Sequence, residues 1–250
     1  MSVPALSVRN AEKRFGAIHA LRDVSMDAWR GEVTALLGDN GAGKSTLVKC
    51  ISGVHRLDEG EILLDGRPAH LNSPAAARGA GIETVYQDLA LFDNLTPAQN
   101  FYCGREIGFP AWLPRPLRFL DKRAMNREAA AVIDRLQVRL PKFDAPVAMM
   151  SGGQRQAIAV ARATVFARNV VMLDEPTAAL GLRESRKVLD LIVKLKAEGN
   201  AVILITHNME HVVELADRAV VLRQGTKVGE LKPSAQNRQD LVAMIVGAEA

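Results

Sequence analysis

The chain has few cysteines, few aromatic residues and no long apolar run. Of its 250 residues two are cysteines, and aromatic residues make up 4%. Two cysteines are too few for a disulfide framework and have no metal-ligand spacing, so we expect a reducing compartment, with Cys50 and Cys103 buried as small apolar side chains. No apolar stretch approaches the roughly 20 residues of a membrane-spanning helix. The start, MSVPALSVRN, lacks a secretory signal, which predicts a chain that is cytosolic or bound to a membrane through another protein.

Composition and charge exclude several classes. Hydrophobic residues make up 48% and charged residues 24%, which is ordinary for a globular protein and excludes a disordered or fibrous chain. The length allows one large domain. The net charge is +4, but lysine and arginine are spread along the chain. The basic balance is therefore weak support for a nucleic-acid partner, and we predict none.

Short apolar segments alternate with helical patterns. Strands are predicted at residues 3–8, 24–28, 33–37, 61–64, 82–86, 170–173 and 201–205, with Phe15 in the turn between the first two. One amphipathic helix presents Ala129, Val132, Ile133 and Leu136, and another presents Val188, Leu189, Ile192 and Leu195. Such alternation predicts an α/β body with a parallel sheet. Prolines 110, 114 and 116 exclude a continuous helix across residues 103–121, which we expect to be an irregular surface excursion.

A glycine-rich loop follows the predicted strand 33–37. The letters GDNGAGKS at 38–45 fit G-x-x-x-x-G-K-[ST], between a strand and a helix as this motif requires. Backbone N–H groups in such a loop converge on phosphate, and the helix start adds a favourable dipole. Lys44 would reach the terminal phosphates, while the Ser45 hydroxyl could bind Mg²⁺.

Two acids end the predicted strand at 170–173. Asp174 and Glu175 follow its last apolar residue, at the edge where parallel sheets bind ligands. We predict that Asp174 holds Mg²⁺ and that Glu175 is the general base for an attacking water.

A second helix start has the features of an anion site. Ser151 and Gln154 have the spacing of a capping box, and Gly152 and Gly153 open the backbone beside the cap. A well-capped helix alone would also explain Ser151 and Gln154. One ATP rarely needs two such helix starts from distant parts of one chain.

These motifs together resemble the ATPase subunits of ABC transporters over nearly the whole chain. The resemblance implies a P-loop α/β fold with an N-terminal antiparallel β subdomain and an inserted α-helical subdomain. It implies one domain over 1–250, with a nucleotide-binding body at 1–87 and 166–250 and a helical signature subdomain at 88–165. It also implies that residues 151–154 face the γ-phosphate held at Lys44 of an opposing subunit, so that two copies enclose two ATP molecules.

The resemblance extends to single residues. It implies that Gln87 contacts Mg²⁺ and water, that His207 contacts the γ-phosphate, and that adenine stacks on Phe15. The predicted nucleotide-binding residues are Phe15, Gly38, Asn40, Gly41, Ala42, Gly43, Lys44, Ser45, Thr46, Ser151, Gly152, Gly153 and Gln154. The predicted catalytic residues are Glu175, His207 and Gln87, and those predicted for Mg²⁺ are Ser45, Gln87 and Asp174.

A finer similarity is to the ATPases of pentose, fructose and related monosaccharide importers. It rests on GDNGAGKST at 38–46, YQDLAL at 86–91 and EPTAALG at 175–181. It implies a permease, an external sugar-binding protein, a second ATPase subunit in a homodimer, and a peripheral place on the cytoplasmic face of the inner membrane. Gly181 departs from the aspartate usual in ABC ATPases, so the contact across the interface assigned to that aspartate is in doubt.

Alternatives remain open from the sequence. Residues 103–121 suit a plain surface loop, which is favoured, or a segment that touches the permease or lipid. A soluble ABC ATPase acting on nucleic acid or ribosomes usually has tandem ATPase domains or a long coiled coil, and the chain has neither pattern. A small-molecule kinase would need no signature motif.

Overall fold

The structure is a computed structural model that describes residues 3–138, 140, 142–178 and 180–247. The predicted domain 1–250 and the segment EPTAALG each include positions outside the described residues, Ala179 in the second case. The strands are β1 Leu6–Phe15, β2 Ile18–Ala28, β3 Val33–Leu37, β4 Glu59–Leu64, β5 Arg67–Pro68, β6 Ile82–Val85, β7 Gly108–Phe109, β8 Phe119–Leu120, β9 Val170–Asp174, β10 Ala201–Ile205, β11 Arg218–Arg223 and β12 Thr226–Leu231. The helices are α1 Lys44–Ile51, α2 Pro74–Gly79, α3 Pro97–Tyr102, α4 Lys122–Arg135, α5 Gly152–Phe166, α6 Leu182–Ala197, α7 Met209–Leu215 and α8 Arg238–Val246. Among the described residues, no helix is long and apolar enough to cross a bilayer.

A six-stranded sheet lies at the centre, in the order β12-β11-β3-β10-β9-β6. All neighbouring strands are parallel except β12, which runs antiparallel to β11. Alternate residues of β9 enter two different cores: Val171 and Leu173 face one, and Val170 and Met172 face the other. Strands buried on both faces read as continuous apolar runs, which is why the predictions for 33–37 and 201–205 are confirmed to the residue.

A second sheet is antiparallel, in the order β2-β1-β4-β5. Its first two strands are much longer than predicted, and Phe15 ends β1 opposite Ile18 instead of lying in a turn. The pairing shifts register between Val8 and Ala11, beside Asn10 at φ 48°. At such a bulge the strand continues, but apolar and polar residues no longer alternate regularly along it. The sequence pattern therefore does not predict the second half of this strand.

Helices α3, α4 and α5 form a layer against the first core. The predicted amphipathic helix lies within α4, where Ala129 and Ile133 are buried. They pack in the same core as Phe101 of α3 and Ile158 of α5. This core is continuous with one face of the central sheet. The limits of a separate helical subdomain at residues 88 and 165 stay a prediction.

The excursion at 103–121 has no continuous helix, as predicted. The expectation that it is irregular is wrong for the hairpin of β7 and β8, which the sequence pattern did not predict. Strands β7 and β8 pair antiparallel, and one 3₁₀ turn at Arg115–Leu117 lies between them. The prediction that both cysteines are buried is wrong for Cys103, which is exposed. Cys103 follows the last residue of α3, where the chain leaves the core. Cys50 is buried on α1, and this burial raises the pKa of its thiol to about 11.

Gly53, just after α1, offers a test of local strain. Its φ is +74°, and an added Cβ would lie 2.4 Å from the Ser73 carbonyl oxygen. Gly199, just after α6, has φ +85° and open space around an added Cβ. We expect Gly199→Ala to cost about 1 kcal/mol of unfolding free energy from the backbone alone, and Gly53→Ala about 2 kcal/mol or more because a clash is added. Urea midpoints measure both, and equal losses would show that the Ser73 contact relaxes freely.

Candidate nucleotide site

The loop at 38–45 joins β3 to α1 and ends in an uncapped helix start. Gly43 is the residue before α1, and no side chain caps the helix there. Gly43 has φ +103°, and an added Cβ would lie 2.8 Å from the Ala20 carbonyl oxygen, so only glycine fits without movement. The first N–H groups of α1 are therefore open to an anion such as phosphate.

Lys44 is held inside this loop. Its Nζ donates hydrogen bonds to the carbonyl oxygens of Gly38 at 2.7 Å and Asp39 at 2.9 Å. Burial lowers the pKa of Lys44, while the nearby carboxylates of Glu175, Asp174 and Asp39 act to raise it. The ammonium thus lies between the loop and the acids at the end of β9, where a phosphate group would meet it.

Asp174 and Glu175 lie at the same edge of the sheet. Asp174 pairs with Ile205 of β10, and burial and the charge of Glu175 raise its pKa, against the effect of Lys44 and Lys49. Glu175 has φ +48° and donates its N–H to the Ile205 carbonyl oxygen at 2.9 Å. A left-handed backbone at a residue other than glycine is strained and often marks a functional position.

His207 reaches Glu175 across two neighbouring strands. Its Nδ1 lies 2.8 Å from Glu175 Oε1, and the Thr206 hydroxyl lies 3.4 Å from Glu175 Oε2. The His207 side chain is 83% exposed, whereas that of Glu175 is 16% exposed. The structure therefore brings together two of the three predicted catalytic residues, with the imidazole at the open side of the carboxylate.

Gln87 is exposed, two residues beyond β6. The loop after it is held by Arg162 of α5, which donates to the carbonyl oxygens of Ala90 at 2.7 Å and Leu89 at 3.0 Å. Leu89 and Ala90 both have positive φ, 60° and 45°. Sequence reasoning missed Arg162, because its partners lie more than 70 positions away and are backbone atoms.

Phe15 and the phosphate loop share one cleft of about 560 Å³. The Phe15 ring is 41% exposed, with its edge against His55 at 5.1 Å between ring centroids, and Lys13 Nζ lies 5.5 Å from the Phe15 centroid. The sequence predictions missed three polar residues that line this cleft. They are His19 and Arg22 of β2 and Gln224 of the β11–β12 turn.

The start of α5 lies in a different cleft. Its capping box is confirmed: Ser151 Oγ accepts from the Gln154 N–H at 3.3 Å, and Gln154 Oε1 accepts from the Ser151 N–H at 2.9 Å. Ser151, Gly153 and Gln154 line a cleft of about 360 Å³ together with residues of α6, and no residue of the phosphate loop lines it. Within one chain, the two predicted anion sites are thus apart.

Comparison with known proteins identifies the family of the chain. A family model described as "ABC transporter" matches residues 21–178. The chain is 46% identical over 247 residues to the fructose import ATP-binding protein FrcA of Rhizobium meliloti, across 98% of this chain and 95% of that protein. It is 45% identical over 240 residues to the xylose/arabinose import ATP-binding protein XylG of Sulfolobus acidocaldarius, across 96% and 93%. The ribose import ATP-binding protein RbsA 2 of Escherichia coli O157:H7 is 40% identical, but the match spans 98% of this chain and 47% of that protein.

Solved structures give the same fold. A nucleotide-free ATP-binding cassette from an ABC transporter superposes with a TM-score of 0.82 at 23% identity, over 97% of each chain. An ATP-binding cassette in its ADP conformation superposes with a TM-score of 0.81 at 25% identity, over 98% of this chain and 99% of the other. The family match covers more than half of the chain, and it includes the phosphate loop and both acids, Asp174 and Glu175. The chain therefore belongs to the ABC transporter family, as an ATP-binding subunit with ATPase activity.

Proposed function

We propose that this chain powers the import of a monosaccharide, through ATP-driven closing and opening of a pair of ATPase subunits. The observation that carries the paired mechanism is the separation of the α5 start from the phosphate loop of the same chain. A second chain, placed head to tail, would bring its Ser151 and Gly153 to the phosphates held by the first. This chain matches FrcA and XylG over nearly their full lengths. Because those two proteins are named as fructose and xylose/arabinose import proteins, they support a sugar as the transported solute.

The partners follow from this role. A permease would carry the solute, an external sugar-binding protein would deliver it, and this chain would lie on the cytoplasmic face of the membrane without spanning it. FrcA and XylG match this chain over 95% and 93% of their own lengths, and the sequence contains one phosphate loop and one signature motif, at residues 151–154. We therefore propose that the second ATPase is another copy. A soluble ABC ATPase acting on nucleic acid or ribosomes is not favoured, because the relatives are import proteins.

In the cleft lined by Phe15 and the phosphate loop, different residues would bind different parts of ATP. Phe15 offers an exposed ring face for adenine, and the N–H groups at the start of α1 receive the phosphates. Lys44, already aimed at the loop, would exchange its carbonyl partners for phosphate oxygens, which make stronger charge-assisted bonds. Closure by the opposing Ser151–Gln154 would order both subunits around the γ-phosphate.

The oxygen donors at this edge suit Mg²⁺. Ser45, Asp174 and Gln87 would hold the ion, which would supply charge neutralisation at the phosphates. The fit rests on donor chemistry: a hydroxyl, a carboxylate and an amide suit a hard cation that keeps water and phosphate ligands. Among the described residues, no cluster of three acidic, histidine or cysteine side chains could hold a metal by itself.

Glu175 is proposed as the general base. Its carboxylate would accept a proton from the attacking water as the water oxygen bonds to the γ-phosphorus and the bond to the leaving ADP breaks. His207, 2.8 Å from Glu175, would hold that carboxylate in place and reach the γ-phosphate from its exposed side. Loss of the γ-phosphate would remove the link between subunits, so that the pair reopens.

Replacing the base tests the chemistry. We expect Glu175→Gln to bind ATP with little change and to lose about 100-fold or more in turnover, since the amide cannot accept the proton. ATP binding by calorimetry and phosphate release measure the two effects. Glu61→Gln, at an exposed residue of β4, is the matched control and should retain full turnover. Near-normal turnover of Glu175→Gln would remove Glu175 from the role of base.

Pairing has its own test. The hydrolysis-blocked Glu175→Gln chain should dimerise at saturating ATP, because the γ-phosphate links the two subunits, and light scattering measures the mass. Adding Ser151→Arg should restore the monomer, since the larger side chain would block the opposing phosphate site. If Glu175→Gln remained monomeric at high protein concentration, the paired site would be wrong, although each chain could still bind ATP.

A further inference from the structure

An apolar patch is exposed on the β7–β8 hairpin. We call the hairpin patch the side chains of Phe109, Trp112, Leu117 and Phe119, which are 56%, 81%, 62% and 71% exposed. The chain has eleven Phe, Tyr and Trp residues, and three of them lie in this short segment. Single exposed apolar residues are common on soluble proteins, but a cluster on one hairpin indicates a contact surface.

The fold holds this patch in a defined form. Phe109 and Phe119 are directly opposite in the antiparallel pair, so both side chains lie on the same face of the hairpin. Arg118 donates from Nε to the Leu113 carbonyl oxygen and from Nη2 to the Ala111 carbonyl oxygen, each at 2.6 Å. These bonds stabilise the loop between the strands. Trp112 is thus presented at the tip of an ordered loop.

Positive charge is concentrated beside the patch. Residues 105–128 contain six cations against the three carboxylates Glu106, Asp121 and Glu128. Arg105 pairs with Glu83 at 2.7 Å, and Arg118 is bonded within the hairpin loop. Lys122, Arg123 and Arg127 begin α4 directly after the hairpin, and all three are exposed. Asp121 is occupied as the cap of α4, where it accepts from the Ala124 N–H at 2.9 Å.

We propose that the hairpin patch and the start of α4 bind a membrane surface of anionic lipids. Tryptophan and phenylalanine side chains favour the boundary between headgroups and acyl chains, and neighbouring cations attract anionic headgroups. This contact goes beyond the proposed transport function, because the chain itself would touch lipid without the permease.

The test uses the full chain and vesicles without permease. Trp29→Phe leaves Trp112 as the one fluorophore of its kind. With vesicles of phosphatidylcholine and a minority of phosphatidylglycerol, we expect Trp112 emission to shift to shorter wavelength and to be quenched by brominated acyl chains. Pure phosphatidylcholine should give little binding, and added salt should weaken binding to the anionic vesicles.

Paired variants separate the two parts of the surface. Trp112→Ser with Phe119→Ser, and separately Lys122→Gln with Arg123→Gln, should each lower vesicle partitioning about tenfold or more, as co-sedimentation measures. Val193→Ser with Val246→Ser is the apolar control, and Lys232→Gln with Arg238→Gln is the charge control; neither should change it. All variants should keep the ATPase turnover of the parent chain, because these residues lie outside both nucleotide clefts.

Three results would overturn the proposal. The first is equal loss of binding in patch and control variants, and the second is binding that ignores anionic lipid. The third is intact vesicle binding in the hairpin variants together with lost association with the permease in detergent, which would make the patch a protein contact. Loss of ATPase activity with lipid binding retained would count against the proposed function and leave the lipid contact standing.

Discussion

The common direction of the central strands is the constraint on which the site depends. Strands β3, β10, β9 and β6 run in the same direction as neighbours in the central sheet, so their carboxyl ends meet at one edge. The register pairs Asp174 of β9 with Ile205 of β10, and it pairs Ile205 with Leu36 of β3, so the three residues lie at the same level of the sheet. The loops that follow therefore bring Lys44 near the two acids and His207 against Glu175, although 163 positions separate Lys44 from His207. Altering the register of one strand would displace its contribution to the site.

Partial burial then sets the electrostatics at this edge. Burial lowers the pKa of Lys44 and raises that of Asp174, and the opposite charges of the two groups counter both effects. Each charge thus offsets part of the cost of burying the other, in an environment where electrostatic interactions are stronger than in water. A triphosphate and a divalent ion add both signs of charge, which matches an edge with ammonium and carboxylate groups side by side.

Helix α5 connects the two parts of the proposed catalytic cycle. Its start carries the capping box of Ser151, and three turns later Arg162 donates to the carbonyl oxygens behind Gln87. A helix of 15 residues moves as a stiff body. If the start of α5 closes on the nucleotide of a partner chain, as proposed, Arg162 moves with it and carries the Gln87 loop. The planar guanidinium group of Arg162 can donate to two adjacent carbonyl oxygens at once, as it does here to those of Ala90 and Leu89.

Local patterns predicted the buried strands and the phosphate loop, because apolar runs and glycine spacing depend on near neighbours in the chain. They also indicated the carboxylates at 174 and 175 and the capping box at 151. They failed where the cause was distant or irregular, as in the bulged strand that ends at Phe15 and the hairpin at 108–120.

The tertiary structure alone decided which of these features share a site. It placed Glu175 against His207 and let Arg162 donate to the backbone of the loop that follows Gln87. It also separated the α5 start from the phosphate loop of the same chain. The physical reason is that a residue's type limits its chemistry, while its partners are chosen by strand order, register and packing. Those are properties of the whole chain, and no short segment contains them.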